Sequence, residues 1–411
     1  MAPLASPPLS GVATAIAPPR LGQGFRWLLA SSWTSNLGDG VALAAGPLLV
    51  ASLTSDPLVV AAASSLQMLP WVVFGLYAGV LADRVDRRRL VVVANLARGG
   101  VVVVLATTVF SDVVTVPVVL VAMFCLGTAE TFVDTTTATL LPMLVDGDDL
   151  GVANARLQFG NNTINRLAAP PIGAALFAVG ASVPFATQAV SILLAVVLVA
   201  RIGATPPASA DRTAPVRREI AEGLRWVWAN PAIRLLVFTI LAFNITFGAV
   251  HGILVLYVAE RLGLGEVGFG AFVAFGAAGA ILGTLVYTRL ERLLGRSGIM
   301  RAGLVVETAT HLVLALTDRP AFAFGIMFVF GIHEAAWGTT ASTLRQRLVP
   351  NELQGRVTSV YMLSVLGSMV TGQVLGGVMA GIWGITAPFW FGFVGSAVIL
   401  AVMWPRFVRL G

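Results

Sequence analysis

Long apolar runs alternate with short polar stretches along the whole of this 411-residue chain. A helix that crosses a bilayer needs roughly 20 apolar residues. The pattern predicts twelve such helices, at residues 27–53, 58–82, 89–110, 116–140, 151–179, 183–201, 233–257, 267–288, 299–316, 321–344, 356–381 and 386–404. The sharpest interruption is Gly79-Val80-Leu81-Ala82-Asp83-Arg84-Val85-Asp86-Arg87-Arg88-Arg89, a charged hinge between the second and third runs. Composition points the same way: 57% of residues are hydrophobic and 11% charged, with a mean hydropathy of +0.87. A soluble domain carries about a quarter charged residues, so the expected fold class is an all-α polytopic membrane protein.

The two halves of the chain match at nearly fixed offsets. Thr139-Leu140 matches Thr343-Leu344, Gly173 matches Gly377, and Pro184-Phe185 matches Pro388-Phe389, all in one register. Nearer the start of each half, Asn36 matches Asn244, Gly40 matches Gly248 and Gly75 matches Gly283. Two parallel six-helix repeats with a substrate site between them are a transporter architecture. The expected layout is a disordered cytoplasmic tail (1–24), a six-helix bundle (25–202), a cytoplasmic linker with an amphipathic helix (203–231), a second six-helix bundle (232–404) and a short cytoplasmic tail (405–411).

Charge adds orientation. The chain has no lysine, and all but four of its 26 basic residues fall in or beside the loops and tails that share a side with both termini. The exceptions are Arg98 and Arg166 inside helices and Arg261 and Arg319 on the other side. The positive-inside rule therefore predicts cytoplasmic termini in a bacterial inner membrane. Juxtamembrane arginines contact anionic lipid, so the net charge of +6 reports orientation and lipid partners, not nucleic acid. A chain without lysine has no phosphate-cradling Gly-x-x-x-x-Gly-Lys loop, which excludes an ATP-driven pump in this chain. No cofactor is expected, and the proton gradient is the natural energy source. The lone Cys125 reads as packing. His251, His311 and His333 are scattered without metal-ligand spacing, so neither a metal site nor an enzyme is expected.

The hinge resembles the Gly-x-Leu-Ala-Asp-Arg-x-Gly-Arg-Arg signature of the major facilitator superfamily, with Asp86 in place of the second glycine. Leu344-Arg345-Gln346 followed by Val349-Pro350-Asn351-Glu352-Leu353-Gln354-Gly355-Arg356-Val357 is similar to the loop between helices ten and eleven of the superfamily's drug and siderophore exporters, relatives of the enterobactin exporter and the macrolide-efflux pumps. Arg166-Leu167-Ala168-Ala169-Pro170-Pro171-Ile172-Gly173 resembles the antiporter motif of helix five, with alanine at two glycine positions. The resemblance implies a central cavity lined by helices one, four, seven and ten. It also implies a gating latch in which Asp83, with Arg84 and Arg88, docks at the start of helix eleven near Arg356.

Ionisable groups at bilayer depth cost at least ~2.5–3.5 kcal/mol each, so each is a functional candidate. At 1.5 Å per residue, Arg98 lies roughly 12 Å from the cytoplasmic end of helix three, with Glu130 and Asp134 roughly 15 and 9 Å from that of helix four. An Arg98 bridge to one or both is the expected bracket, with Asp39 and Arg166 at comparable depth near mid-membrane. Glu334 is the repeat counterpart of Glu130, but the second half has no arginine matching Arg98. Glu334, with His333 beside it, is thus the leading proton carrier, and Asp39, Glu130 and Asp134 are the others. Glu307 and His311 read as a packing pair on peripheral helix nine. Trp33, Asn36, Asn244, Phe247 and Trp337 are the expected cavity lining, suited to a bulky amphipathic ligand.

These features together predict a monomeric, proton-coupled exporter of a hydrophobic or amphipathic small molecule, such as an antibiotic or siderophore. Import or lipid and metabolite transport by the same fold, and a non-transporting sensor or scaffold, are the competing readings.

Overall fold

The computed structural model describes residues 18–203, 216–350 and 353–408, without the side chains of Leu76, Asp83, Asn162, residues 216–219 and residues 407–408. Most of the N-terminal tail, the proline-rich start of the linker and Asn351-Glu352 of the loop motif therefore lie outside the described residues, as does the hinge carboxylate of Asp83.

The described residues form helices and no strands. The first half contains α1 (Gly22–Leu53), α2 (Pro57–Arg84), α3 (Arg87–Phe110) and α4 (Val116–Leu140). A segmented crossing follows, in which α5 (Leu150–Phe159) passes through a π-helical stretch, Gly160–Ala168, into α6 (Ala169–Val179), and α7 (Val183–Val199) closes the half. The linker supplies α8 (Val216–Ala229), which packs on α12. The second half contains α9 (Pro231–His251), α10 (Glu266–Leu316), α11 (Pro320–Leu348), α12 (Gln354–Trp383) and α13 (Ala387–Val408). Nine of these helices are long and apolar enough to cross a membrane, and the 17-residue α7 is a shorter apolar helix.

Local chemistry sets the boundaries. Asp56 caps α2 by accepting from the Leu58 N–H at 2.9 Å, with Pro57 in the first turn. Such a cap satisfies an N–H that the helix leaves orphaned, and proline costs nothing there. Asp86 caps α3 in the same way, accepting from the Arg89 N–H at 3.0 Å, which accounts for aspartate at the hinge's second glycine position. Straight, the 51 residues of α10 would reach roughly 76 Å, more than twice the ~30 Å hydrocarbon core. Gly295, at φ 66° and ψ 171°, breaks it into two arms.

The π-helical stretch also has a local cause. Pro170 and Pro171 have no N–H to return to the carbonyls of Arg166 and Leu167, and proline inside a helix removes that ladder bond. The ladder widens instead, with the Ala169 N–H donating to the Ile164 carbonyl one residue farther back. A continuous helix over 151–179 is thereby corrected to a helix with a wide turn at its centre.

In the first half α1 packs on α6 and α7, α2 on α4, and α3 on α4 and α7. In the second half α9 packs on α12 and α13, and α10 on α11 and α13. The halves meet where α2 packs on α12 and α6 on α10. A side chain at Gly377 would run into Leu58 and Ala61, and one at Gly270 into Pro171 and Ala174. Both glycine contacts lie toward the arginine-poor end.

The buried apolar side chains follow the same asymmetry. One cluster at the arginine-poor end joins both halves, from Ala45, Leu105 and Val119 to Val255, Phe272 and Phe389. At the arginine-rich end the halves have separate cores, one around Phe25, Val91 and Leu140 and the other around Ile233, Leu304 and Val357. The two halves therefore fuse at one end and part at the other.

Candidate functional site

The parting of the halves leaves a cleft, and several of the intramembrane charges identified from sequence face it. Asp134 of α4, Arg166 of the π-helical stretch and Glu334 of α11 are exposed, whereas Arg98, Glu307 and His311 are buried in their own halves.

In the first half Arg98 forms an ion pair with Asp39 of α1. The carboxylate also accepts from Ser35 Oγ at 3.1 Å and from Gln188 Nε2 of α7 at 3.4 Å. Glu130 and Asp134 lie in the electrostatic field of the same guanidinium, and Gln67 of α2 hydrogen-bonds Glu130. The expected Arg98 bracket is thus present, but its direct acceptor is Asp39 rather than Glu130 or Asp134. The reason is the seam between α1 and α7, where Gly38 lets the helices close on Ser191 and Gln188. That closure sets Asp39 and Gln188 where the long Arg98 side chain reaches them.

In the second half Glu334 has a cationic neighbour after all. Arg166, from the other half, and His333 both act on it electrostatically. The repeat comparison looked for an arginine on helix nine, and the cation comes instead from across the cleft. His333 is turned toward helix nine, with Nε2 3.3 Å from Glu307 Oε2. His311 is hydrogen-bonded through Nδ1 to the Glu307 main-chain carbonyl at 2.9 Å, which leaves that nitrogen 3.9 Å from Oε1. Glu307 and His311 are therefore part of a three-membered polar cluster and not an isolated packing pair. A Gly303-x-x-x-Glu307-x-x-x-His311 stripe on one helical face was the sequence signal for it.

The expected lining residues are partly committed elsewhere. Trp33 donates from Nε1 to the Arg156 carbonyl at 2.9 Å and packs against Phe159, ring centres 5.4 Å apart. Asn36 and Asn244 each turn the amide N–H back on their own helix, to Ser32 O and Ile240 O, both at 2.8 Å. Phe247 stacks on Phe330 at 5.2 Å, and Trp337 is buried edge-on to Phe243 at 5.8 Å. These rings form an aromatic wall between α9 and α11, with Trp337 behind its surface.

At the hinge, Arg84 ends α2 and is exposed. Arg88 donates to the Ala200 carbonyl at 2.5 Å, tying the start of α3 to the end of α7. Arg356, expected near the hinge acids, pairs instead with Glu222 of linker helix α8 at 2.7 Å. Gly223 allows this by bringing α8 against the Arg356 backbone.

A family model described as "Transmembrane secretion effector" matches residues 13–410. The multidrug efflux pump Tap of Mycolicibacterium fortuitum is 26% identical, over 88% of this chain and 90% of that one. Macrolide efflux protein A of Streptococcus pyogenes is 23% identical, over 86% and 88%. Among solved structures, a bacterial homologue of the iron transporter ferroportin in its inward-facing state aligns with a TM-score of 0.76 at 16% identity, covering 94% of this chain and 98% of that one. Its outward-facing state gives 0.60 at 18% identity, covering 94% and 100%.

Proposed function

The chain belongs to the transmembrane secretion effector family of the major facilitator superfamily, and from that premise we propose that it is a proton-coupled secondary exporter of hydrophobic or amphipathic small molecules. The expected cargo is an antibiotic or other drug, or a siderophore. The observation that carries this reading is the fusion of the two apolar cores at one end and their separation at the other. That asymmetry supports alternating access, with the cleft open on the arginine-rich side. By the positive-inside rule this side is the cytoplasm, so cargo enters a bacterial inner-membrane protein from the cytoplasmic side, where both termini lie. The higher score against the inward-facing ferroportin homologue is in keeping with this.

Counting α10 as two crossings at Gly295, and adding the segmented α5–α6 crossing and α7 to the other eight, gives twelve. Paired packing supports two repeats. Gly40 and Gly173 bring α1 into backbone contact with the π-helical stretch and α6, and Gly248 and Gly376 do the same for α9 and α12. Efflux by the relatives, which are multidrug and macrolide pumps, supports the cargo class. The absence of lysine leaves an ion gradient as the driving force, with protons taken up by carboxylates in the cleft, and the chain acts as a monomer.

The test is uptake of a fluorescent drug into inside-out vesicles under an imposed proton gradient. Accumulation abolished by a protonophore is the expected result; accumulation that survives the protonophore would sink proton coupling.

The hinge then acts in the opposite state. When the cleft closes, the start of α12 swings toward Asp83, where the positive end of its helix dipole meets the carboxylate. Arg84 and Arg88 hold the hinge, and Arg356 exchanges Glu222 for the hinge acids. Asp83→Asn should lower transport several-fold with unchanged membrane insertion. Normal turnover in that variant would remove the latch.

A further inference from the structure

The Glu307 cluster is built with more care than packing requires. Both imidazoles occupy space that glycines on neighbouring helices leave open. A Cβ at Gly303 would lie 2.7 Å from His333 Nδ1, and one at Gly392 of α13 would lie 2.6 Å from His311 Nε2. Phe330 and Trp337 hold the His333 ring edge-on, with centres 5.6 and 6.1 Å away. The Glu307 side chain is 6% exposed and His311 3%, while His333 keeps 11%. The His333 ring thus packs on α10, with Nδ1 toward Gly303 and Nε2 toward Glu307, and it keeps the largest exposure of the three side chains.

The charged surroundings are sparse. On the arm of α10 that carries Glu307, His311 is the titratable neighbour. From α11 come His333 and Glu334, and Arg166 acts across the cleft on Glu334. The nearest basic residue of α13 is Arg406, at that helix's end, and those of α9 are Arg234 and His251 at its two ends. A carboxylate so placed, with an imidazole in hydrogen-bond reach, is suited to exchange a proton with that imidazole.

We propose that Glu307 is a second proton-binding carboxylate of the transport cycle, exchanging its proton with His333. This deepens the proton-coupled reading and rests on it. In the loading step the His333 imidazolium gives its Nε2 proton to Glu307 Oε2. The products are a neutral imidazole, protonated at Nδ1, and a carboxylic acid. Unloading is the reverse: Glu307 returns its proton to Nε2, and the imidazolium then releases a proton to water. Charge and protons balance, and no other reactant is needed. Glu334 answers to the position of the two halves through Arg166, and Glu307 answers to the charge on Glu334, with which it interacts electrostatically.

Infrared spectroscopy of the purified full-length protein, titrated with pH, tests the site directly. The wild type is expected to show a protonated-carboxyl band that rises and falls with pH. Glu307→Gln should lose one carboxyl's share of it, and Glu307→Asp should restore a band at a displaced midpoint. His333→Gln should keep the band but move its midpoint by roughly one pH unit, the effect of removing a charge partner within hydrogen-bond reach. In vesicles, Glu307→Gln should lower the number of protons moved per drug while drug exchange persists. A wild-type band and stoichiometry in folded Glu307→Gln would overturn the proposal. If the wild type carries drug without a gradient but Glu307→Gln still loses the band, the proton site stands and proton-coupled export falls.

Discussion

Arg98→Ala is expected to destabilise the first half by about 3–5 kcal/mol, the cost of stranding a buried charge by removing its partner. The effect should be asymmetric. Removing the guanidinium leaves Asp39 unpaired at the α1–α7 seam and withdraws the cation that Glu130 and Asp134 share. Asp39→Asn, by contrast, leaves Arg98 with both α4 carboxyls and keeps a side chain that can still bond Ser35 and Gln188. The single Arg98→Ala change should therefore lower the melting temperature in detergent far more than Asp39→Asn. The double variant should recover part of the loss. A double-mutant cycle with no coupling between the two positions would show that the pair is incidental and that another acid holds the arginine.

How much of this was legible in the sequence depends on which coordinate is asked for. Position along the helix axis was readable: α4 begins and ends at Val116 and Leu140, as the hydrophobic run predicts, and most other boundaries shift by a few residues. Rotation about the axis was not. Arg98, Asp39 and Glu130 were placed at similar depth, but depth alone does not say which helix face meets which. Gly38, by letting α1 close on α7, decided that Asp39 would be the acceptor. Longer irregularities were partly written in the chain. Pro170-Pro171 signals a break in the ladder near Arg166, but whether the helix kinks or widens depends on packing against α1 and α10.

The second half taught the converse lesson. Treating the halves as repeats led to a missing arginine on helix nine, because the comparison assumed that each half satisfies its own charges. Arg166 acts electrostatically on Glu334 from the other half, and no internal register could have revealed it. Glu307 was legible in principle, since an ionisable stripe at four-residue spacing cannot face lipid cheaply. Its partner His333 sits on the next helix, three residues' turn away from the aromatic wall at Phe330.

That cross-cleft charge relation gives the other large expected effect. Glu334 and Arg166 belong to different halves, so rocking the halves changes the attraction between them, and a proton on Glu334 cancels it. That interaction couples protonation to conformation, since a ligand shifts an equilibrium only by its differential affinity for the two states. Glu334→Gln fixes the neutral form. Uphill drug accumulation driven by the gradient should fall at least about tenfold, equivalent to roughly 1.4 kcal/mol of lost coupling, while drug-for-drug exchange continues because it needs no proton. Arg166→Gln should weaken accumulation too, but leave Glu334 free to titrate, so some gradient response remains. Vesicle transport with and without the gradient separates these cases. If Glu334→Gln accumulates drug as the wild type does, with the same protonophore sensitivity, the proton enters elsewhere, and Asp39, Glu130 and Asp134 around Arg98 become the carboxylates to replace.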